Sequence, residues 1–133
     1  MPNWLRVSLA IAAAFIAWFA VATLGNFAIR WLLPGYSEVE KAMNFSLGML
    51  IARLLLGAVA SLVAGAACVA LARGSRVATY SFALLLLVLF VPVHVDLWAR
   101  FPVWYHILFL GSLAPLVVLG ARIGSFRGSP NVA

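Results

Sequence analysis

The stretch FSLGMLIARLLLGAVASLVAGAACVALA, residues 45–72, decides the fold of this chain. It is apolar over more than the roughly 20 residues that a helix needs to cross a hydrocarbon layer about 30 Å thick. It holds a single charge, Arg53. An unpaired guanidinium at the centre of a span costs roughly 2.5 to 3.5 kcal/mol on insertion scales. The stretch therefore predicts a transmembrane helix, and the depth and partner of Arg53 become the questions to settle.

The composition of the whole chain is that of an integral membrane protein. Of its 133 residues, 66% are hydrophobic and 9% are charged, and the mean hydropathy is +1.13, whereas soluble domains carry about 25% charged residues. In such a chain a net charge of +6 reflects the basic residues that orient the spans in the membrane and contact anionic lipids. Nothing suggests a nucleic-acid partner. The single Cys68 has no internal disulfide partner and is expected to behave as a small buried hydrophobe.

Apolar runs predict four spans, at about residues 7–29, 45–72, 77–95 and 101–121. They do not alternate as barrel strands do, so the predicted fold class is all-α. The chain is expected to form one transmembrane domain, a polytopic four-transmembrane-helix bundle. Pro92 and Pro115 are expected to kink the third and fourth helices. The basic stretch 122–133, rich in Gly and Ser, is expected to be a flexible tail.

Charge placement predicts the orientation of the bundle. Basic residues without acids flank the start of the chain, its second connection and its end: Arg6, Arg73, Arg76, Arg122 and Arg127. All three acids lie in the other two connections. By the positive-inside rule, both termini are therefore cytoplasmic. A competing interpretation is a signal peptide cleaved near the small residues 20–22, which would leave three spans with the same C-terminal orientation.

The length of the second span predicts the depth of Arg53. Counting back about 20 residues from the cytoplasmic end at Ala72 reaches Arg53 for an upright helix, and a tilt of about 30° places it roughly one turn inside. Residues 37–40, Ser-Glu-Val-Glu, also fit a capping box, and a helix beginning there would run from about residue 38 to residue 72. Arg53 is thus expected near the outer boundary of the membrane.

Small residues share the helical face of Arg53. Gly57, Ser61 and Gly65 form a small-xxx-small pattern, which lets another helix approach closely. This pattern predicts a helix-contact face. It does not separate contacts within the chain from contacts between chains.

Most of the strongly polar residues outside the cytoplasmic flanks map to the outer third of the bundle. The candidate outer polar cluster consists of Arg53, His94, Asp96, Arg100, Tyr105 and His106. Asp96 is the expected counter-ion of Arg53 or Arg100, with Glu38 or Glu40 as alternatives, because a charge near hydrocarbon is normally paired.

Aromatic residues at the same end fit an interfacial belt: Trp31, Trp98, Trp104 and Tyr105. A belt with a structural polar network is the main interpretation of this end. A ligand pocket that opens outward is the functional alternative.

The two histidines flank the third connection and are expected near the surface, hydrogen-bonded at the interface. Helix bundles do place histidine ligands of haem or metal on facing helices. No cysteine or carboxylate set completes a zinc site here, so we expect neither a metal nor another cofactor. A quinone or lipid-headgroup site using His106, Tyr105 and Arg53 is the alternative. No acyl-transfer nucleophile with a positioned base is visible, and nothing nominates an enzymatic reaction.

The closing stretch carries a resemblance to known proteins. FPVWYH at 101–106, followed by Phe-Leu at 109–110, Pro115 and LGAR at 119–122, resembles the last span of small bacterial four-helix inner-membrane proteins of unknown function. The resemblance covers about the final quarter of the chain. It implies a location in the bacterial inner membrane and carries over no catalytic residue.

Two functional hypotheses follow. The first is a structural or accessory subunit of a larger membrane complex, or a homo-oligomer, with the small-residue face as its contact surface and membrane lipids as its surroundings. The second is a carrier or binding protein with an outward-facing polar pocket for a lipid, quinone or small solute, which uses Arg53, Asp96 and His106.

Overall fold

A computed structural model describes residues 2–128, and every regular element in that part of the chain is a helix. The helices are α1 (Asn3–Leu32), α2 (Tyr36–Glu40), α3 (Leu47–Leu71), α4 (Arg76–Asp96) and α5 (Val103–Gly128). All but the short α2 are long and apolar enough to cross a membrane. The predicted all-α architecture with four long apolar helices is thereby confirmed.

The helix α3 is the centre of the bundle. It packs along α5 on one side and α1 on the other, and α4 closes the bundle against α5 and α1. Alanines on α1 and α3 are fully buried in the core, among them Ala10, Ala14, Ala60 and Ala64. Large Leu, Val and Ile side chains remain exposed on the outside of the helices. This inside-out distribution suits a bundle whose exterior faces lipid tails, which are as apolar as leucine.

Two glycines bring the backbones of α3 and α5 into contact. A Cβ atom on Gly65 would collide with the carbonyl oxygen of Val117 and lie 2.9 Å from its carbonyl carbon. A Cβ atom on Gly120 would collide in the same way with the carbonyl group of Leu62, with its carbon at 2.8 Å. Because carbon atoms pack at about 3.5 to 4.0 Å, neither position has room for a side chain. The small-residue face of α3 is used for packing inside the chain.

The capping box suggested at residues 37–40 does not form, so the helix that it would have started, from about residue 38 to residue 72, is broken in the first connection. Gly35, at a φ of 80°, precedes α2, and Ser37 lies inside α2 instead of capping a long helix. The chain then turns through Met43, at a φ of 55°. Ser46 is the residue that caps α3, because its hydroxyl oxygen accepts a hydrogen bond from the amide of Met49.

The other helices depart less from expectation. Pro92 lies inside α4 and Pro115 inside α5, and both helices continue through their prolines. The flexible tail predicted from residue 122 is wrong up to Gly128, because α5 extends to that residue. Extending an existing helix adds one hydrogen bond for each residue fixed, which favours this continuation. Residues 129–133 lie outside the described part of the chain.

Candidate functional site

Arg53 is held by two tyrosines and a phenylalanine. Its Nε donates a hydrogen bond to the hydroxyl of Tyr105 on α5 at 3.3 Å, and its Nη1 donates to the hydroxyl of Tyr36 on α2 at 2.8 Å. The central guanidinium carbon lies 4.7 Å from the centre of the Phe45 ring, within the range of a cation–π contact. The polar environment of this charge is therefore phenolic and aromatic.

Asp96, the expected counter-ion, does not pair with Arg53, and Glu40, one of the two alternatives, reaches Arg53 only through Asn26 and Tyr36. Among the side chains of residues 2–125, the one ion pair joins Arg30 to Glu40, at 2.7 Å. Asp96 and Arg100 are exposed, so the predicted pairing of Asp96 with Arg53 or Arg100 is wrong. The reason lies in the first connection, where Glu40 ends α2 beside the last turn of α1 and meets Arg30 instead.

A hydrogen-bond network links this ion pair to Arg53. Glu40 accepts two hydrogen bonds from Arg30, at 2.7 and 3.0 Å, and a third from the side-chain amide of Asn26 at 3.1 Å. These bonds, led by those from Arg30, hold the pKa of Glu40 below its usual value. The hydroxyl of Tyr36 donates to Asn26 Oδ1 at 3.2 Å while it accepts from Arg53. We call these five residues together with Tyr105 the arginine network.

A groove of about 510 Å³ runs along the bundle from this network. It lies between α1, α3 and α5, with one side chain from α4, and five aromatic side chains dominate its apolar lining: Trp18, Phe19, Phe27, Phe90 and Phe109. Its polar end is formed by members of the arginine network: Asn26, Arg30, Arg53 and Tyr105. The volume is within the roughly 300 to 1,000 Å³ of small-molecule sites.

The indole of Trp18, in the aromatic part of the groove, is already hydrogen-bonded. The indole nitrogen of Trp18 donates to the hydroxyl of Ser61 at 3.0 Å, and that hydroxyl donates to the carbonyl of Gly57 at 2.8 Å. The ring of Phe109 covers Gly57, where a Cβ atom would lie 3.0 Å from the ring. Apart from the hydroxyl of Thr23, this part of the groove therefore offers an apolar surface, and the other polar side chains of the lining lie at the end near Arg53.

The two histidines form a buried pair beside the groove. Their Nδ1 atoms lie 2.7 Å apart, and the side chains of His94 and His106 are 5% and 0% exposed, so the expected surface position is wrong. The Nε2 of His106 lies 3.3 Å from the carbonyl oxygen of Trp98. A carbonyl only accepts, so His106 donates from Nε2, and a neutral His106 accepts at Nδ1 from the Nδ1–H of His94.

The histidine pair packs against two residues that line the groove, Tyr105 and Phe109, but is not part of it. The ring of His94 is stacked 6.1 Å from that of Tyr105. Neither histidine lines the groove. Within residues 2–128 no group of three or more His, Cys, Asp or Glu side chains could hold a metal ion. Of the candidate outer polar cluster, the structure thus joins Arg53 to Tyr105 and His94 to His106, and it leaves Asp96 and Arg100 at the surface.

The aromatic residues at this end separate into two groups. Trp31, Trp98 and Trp104 are exposed, as a belt at the membrane interface requires. Tyr105 is only 3% exposed, so its expected place in the belt is wrong. Its hydroxyl instead accepts a hydrogen bond from Arg53. Sequence reasoning did not find Tyr36 as the second partner, although its position directly after Pro34-Gly35, a turn signal, placed it near the end of α1.

No known family model matches this chain, and no characterised protein or solved structure is significantly similar to it.

Proposed function

We propose that this chain is a multi-pass protein of a bacterial inner membrane that binds a lipid-like amphiphile in the groove beside Arg53. The observation that carries the proposal is the polarity gradient along the groove. Aromatic side chains, Trp18, Phe19 and Phe90 among them, line one part of it, and the side chains of Arg53 and Tyr105 form its polar end. An amphiphile has the matching gradient, because its tail needs an apolar wall and its head needs hydrogen-bonding groups.

The opening of the groove favours a ligand that arrives from the bilayer. Phe19 and Phe27 line the groove and are also exposed on the outside of α1. With its 25 residues, α3 is about 37 Å long, compared with about 30 Å of hydrocarbon, and Arg53 lies about 9 Å from its first residue. In a centred helix, Arg53 then lies roughly one turn inside the hydrocarbon. The head of a lipid reaches this depth with a small inward displacement.

The proposed orientation has both termini in the cytoplasm. Arg6 and Arg73 line one surface cavity, so the start of α1 and the connection between α3 and α4 lie at the same end of the bundle. That end is opposite the arginine network, because Arg6 lies near the start of α1 and Arg30, a member of the network, lies near its end. A basic end without acids supports a cytoplasmic position by the positive-inside rule. The groove would then open toward the outer leaflet.

The alternative of a subunit or homo-oligomer that docks through the small-residue face has less support. Gly57 is covered by Phe109, Ser61 is bonded to Trp18, and Gly65 lies against the backbone of α5. Contact between chains through this face would require the bundle to open.

Photo-crosslinking tests the proposal directly. The full chain in neutral phosphatidylcholine nanodiscs is exposed to long-chain amphiphiles that carry a diazirine in the tail, and the labelled residues are mapped by mass spectrometry. We expect labels to concentrate on the groove segments of α1 and α3. Ala22 lines the groove, whereas Ala20, on the same helix, is exposed and lies outside it. Ala22→Trp should therefore block labelling, and Ala20→Trp should not.

A different labelling pattern would contradict the proposal. Labels spread evenly over the lipid-facing side chains of all four long helices, and unchanged by Ala22→Trp, would show that the groove holds no ligand in preference to bulk lipid. The small-residue docking hypothesis predicts this pattern together with a stable oligomer in the same nanodiscs.

A further inference from the structure

We infer that the ligand of this groove is a single-chain lipid whose head is an oxyanion, such as a carboxylate, bound by Arg53 and Tyr105. The inference rests on the proposed function and adds the chemical class of the ligand's headgroup and the number of its acyl chains.

The arginine network carries a net positive charge that favours an anion. Its charged members are Arg30, Arg53 and Glu40, so with Glu40 ionised it carries one positive charge in excess. Glu40 bonds directly to Arg30 and acts on Arg53 only through space, so Arg53 has no direct carboxylate partner in the network. No carboxylate pairs with Arg53 within residues 2–128. A charge at this depth in a membrane is normally paired, and an anionic head would supply the missing partner.

The hydrogen-bonding groups left over at the end of the groove are donors. Arg53 has five N–H groups, and its described bonds run from Nε to Tyr105 and from Nη1 to Tyr36. The hydroxyl of Tyr36 donates its own hydrogen bond to the side-chain oxygen of Asn26. The hydroxyl of Tyr105 accepts from Arg53, and its own proton has no acceptor among the described side chains. The Nη2 group of Arg53 likewise has no acceptor in residues 2–128.

Donors without acceptors select the class of the head. A carboxylate or phosphate offers only acceptor atoms together with the negative charge, so it satisfies both requirements. An alcohol head can accept one of these hydrogen bonds, but it adds a further donor and brings no charge. An ammonium head brings donors and the wrong charge. A quinone carbonyl brings an acceptor but leaves the charge of Arg53 uncompensated.

The dimensions of the groove indicate a ligand with one acyl chain. Between Trp18 and Arg30 the groove follows α1 for about 18 Å, which is comparable to a long acyl chain. Its volume of about 510 Å³ is shared between the aromatic wall and the polar end. The ring of Phe109 narrows it from the side of α5, over Gly57. The ligand is therefore expected to lie along α1 with its tail toward Trp18.

The test compares probes that share the same acyl tail and differ only in the headgroup. Diazirine-bearing C16 probes with a carboxylate, a phosphate or a hydroxyl head are offered to the full chain in neutral nanodiscs at about pH 9, where the carboxylic acid is ionised. A charge-assisted hydrogen bond contributes enough to expect labelling of the groove by the carboxylate at least about tenfold above that by the alcohol at equal concentration. Acetate and inorganic phosphate should not compete.

Two variants assign the preference to its residues. Arg53→Gln should bring the ratio of carboxylate to alcohol labelling close to one, whereas Arg100→Gln, which removes an exposed charge at the same end, should not change it. Tyr105→Phe keeps the ring and removes only the hydroxyl, so it should lower the ratio by about tenfold or less. Tyr80→Phe, at an exposed position on α4, is its control. Size-exclusion profiles identify any variant that fails to fold, and Tyr105→Phe then decides the question.

The outcomes separate this inference from the proposed function. Equal labelling of the groove by the carboxylate and the alcohol would overturn the oxyanion head and leave the amphiphile site standing. Competition by a short-chain quinone but not by the fatty acid would replace the inferred class with a quinone. Absence of groove labelling by every probe would overturn both proposals.

Discussion

The contact between the backbones of α3 and α5 predicts a large effect of a single added methyl group. At Gly65 the added Cβ atom would lie 2.9 Å from the carbonyl carbon of Val117 and 3.1 Å from the amide nitrogen of Ala121. Both atoms belong to the backbone of α5 and cannot rotate away. Since carbon atoms pack at about 3.5 to 4.0 Å, Gly65→Ala requires the two helices to separate by roughly 0.6 Å or more.

Two other glycines provide matched comparisons for the size of this effect. A Cβ atom on Gly25 would also collide, but with the end of the flexible Leu56 side chain, and at Gly111 nothing lies within 4 Å. All three changes gain about 1 kcal/mol of helix propensity, which cancels between them. Relative to Gly111→Ala, we expect Gly65→Ala to lower the free energy of unfolding by about 1 to 3 kcal/mol. Gly25→Ala should cost about 0.5 to 1.5 kcal/mol, that of an off-rotamer side chain.

Reversible unfolding in mixed micelles, with denaturing detergent as the titrant and tryptophan fluorescence as the signal, measures these differences. The order of stability is expected to be Gly111→Ala, then Gly25→Ala, then Gly65→Ala. If Gly65→Ala were as stable as Gly111→Ala, the backbones of α3 and α5 would not be in contact and the described crossing would be incorrect.

Two further predictions concern protonation. Because Arg30 holds the pKa of Glu40 below its usual value, the stabilisation from this carboxylate is complete above the ordinary glutamate pKa and is lost as the pH falls through the lower folded value. Unfolding free energies measured against pH should show this loss in the native chain but not in Glu40→Gln, and identical curves would contradict it. For the histidine pair, ¹⁵N NMR of the neutral rings should find the proton of His106 on Nε2, facing the Trp98 carbonyl, and that of His94 on Nδ1. A proton on Nδ1 of His106 would refute the described hydrogen-bond direction.

The features that could be predicted from the sequence are those set by local pattern. Long apolar runs predict long helices wherever they occur, because a backbone in lipid must satisfy its own hydrogen bonds. The small residues on the face of α3 indicated a close approach of another helix, since only they leave room for one. Gly65 is now seen against α5 of the same chain, a choice that the pattern left open.

The partner of Arg53 could not be predicted, because it depends on how the first connection folds. A capping-box match suggested one continuous helix, but the break after Glu40 turns this carboxylate toward Arg30. The same break brings Tyr36 over Arg53. Which acid reaches which arginine is decided by a few backbone angles in a short turn, and neither periodicity nor composition reports those angles. The burial of the histidines could not be predicted for a similar reason, because it depends on how α4 and α5 pack against each other.

The bond between Trp18 and Ser61 also fixes the axial register of α1 against α3. Asn26 lies as far beyond Trp18 on α1 as Arg53 lies before Ser61 on α3, about 12 Å in each case. Because the two helices run in opposite directions, the register that forms this bond also places Asn26 level with Arg53. The close packing of Leu56 against Gly25 supports the same register. A slip of one turn, about 5.4 Å, would separate the two halves of the arginine network, so packing and hydrogen bonding in the apolar layer position the residues of the polar layer.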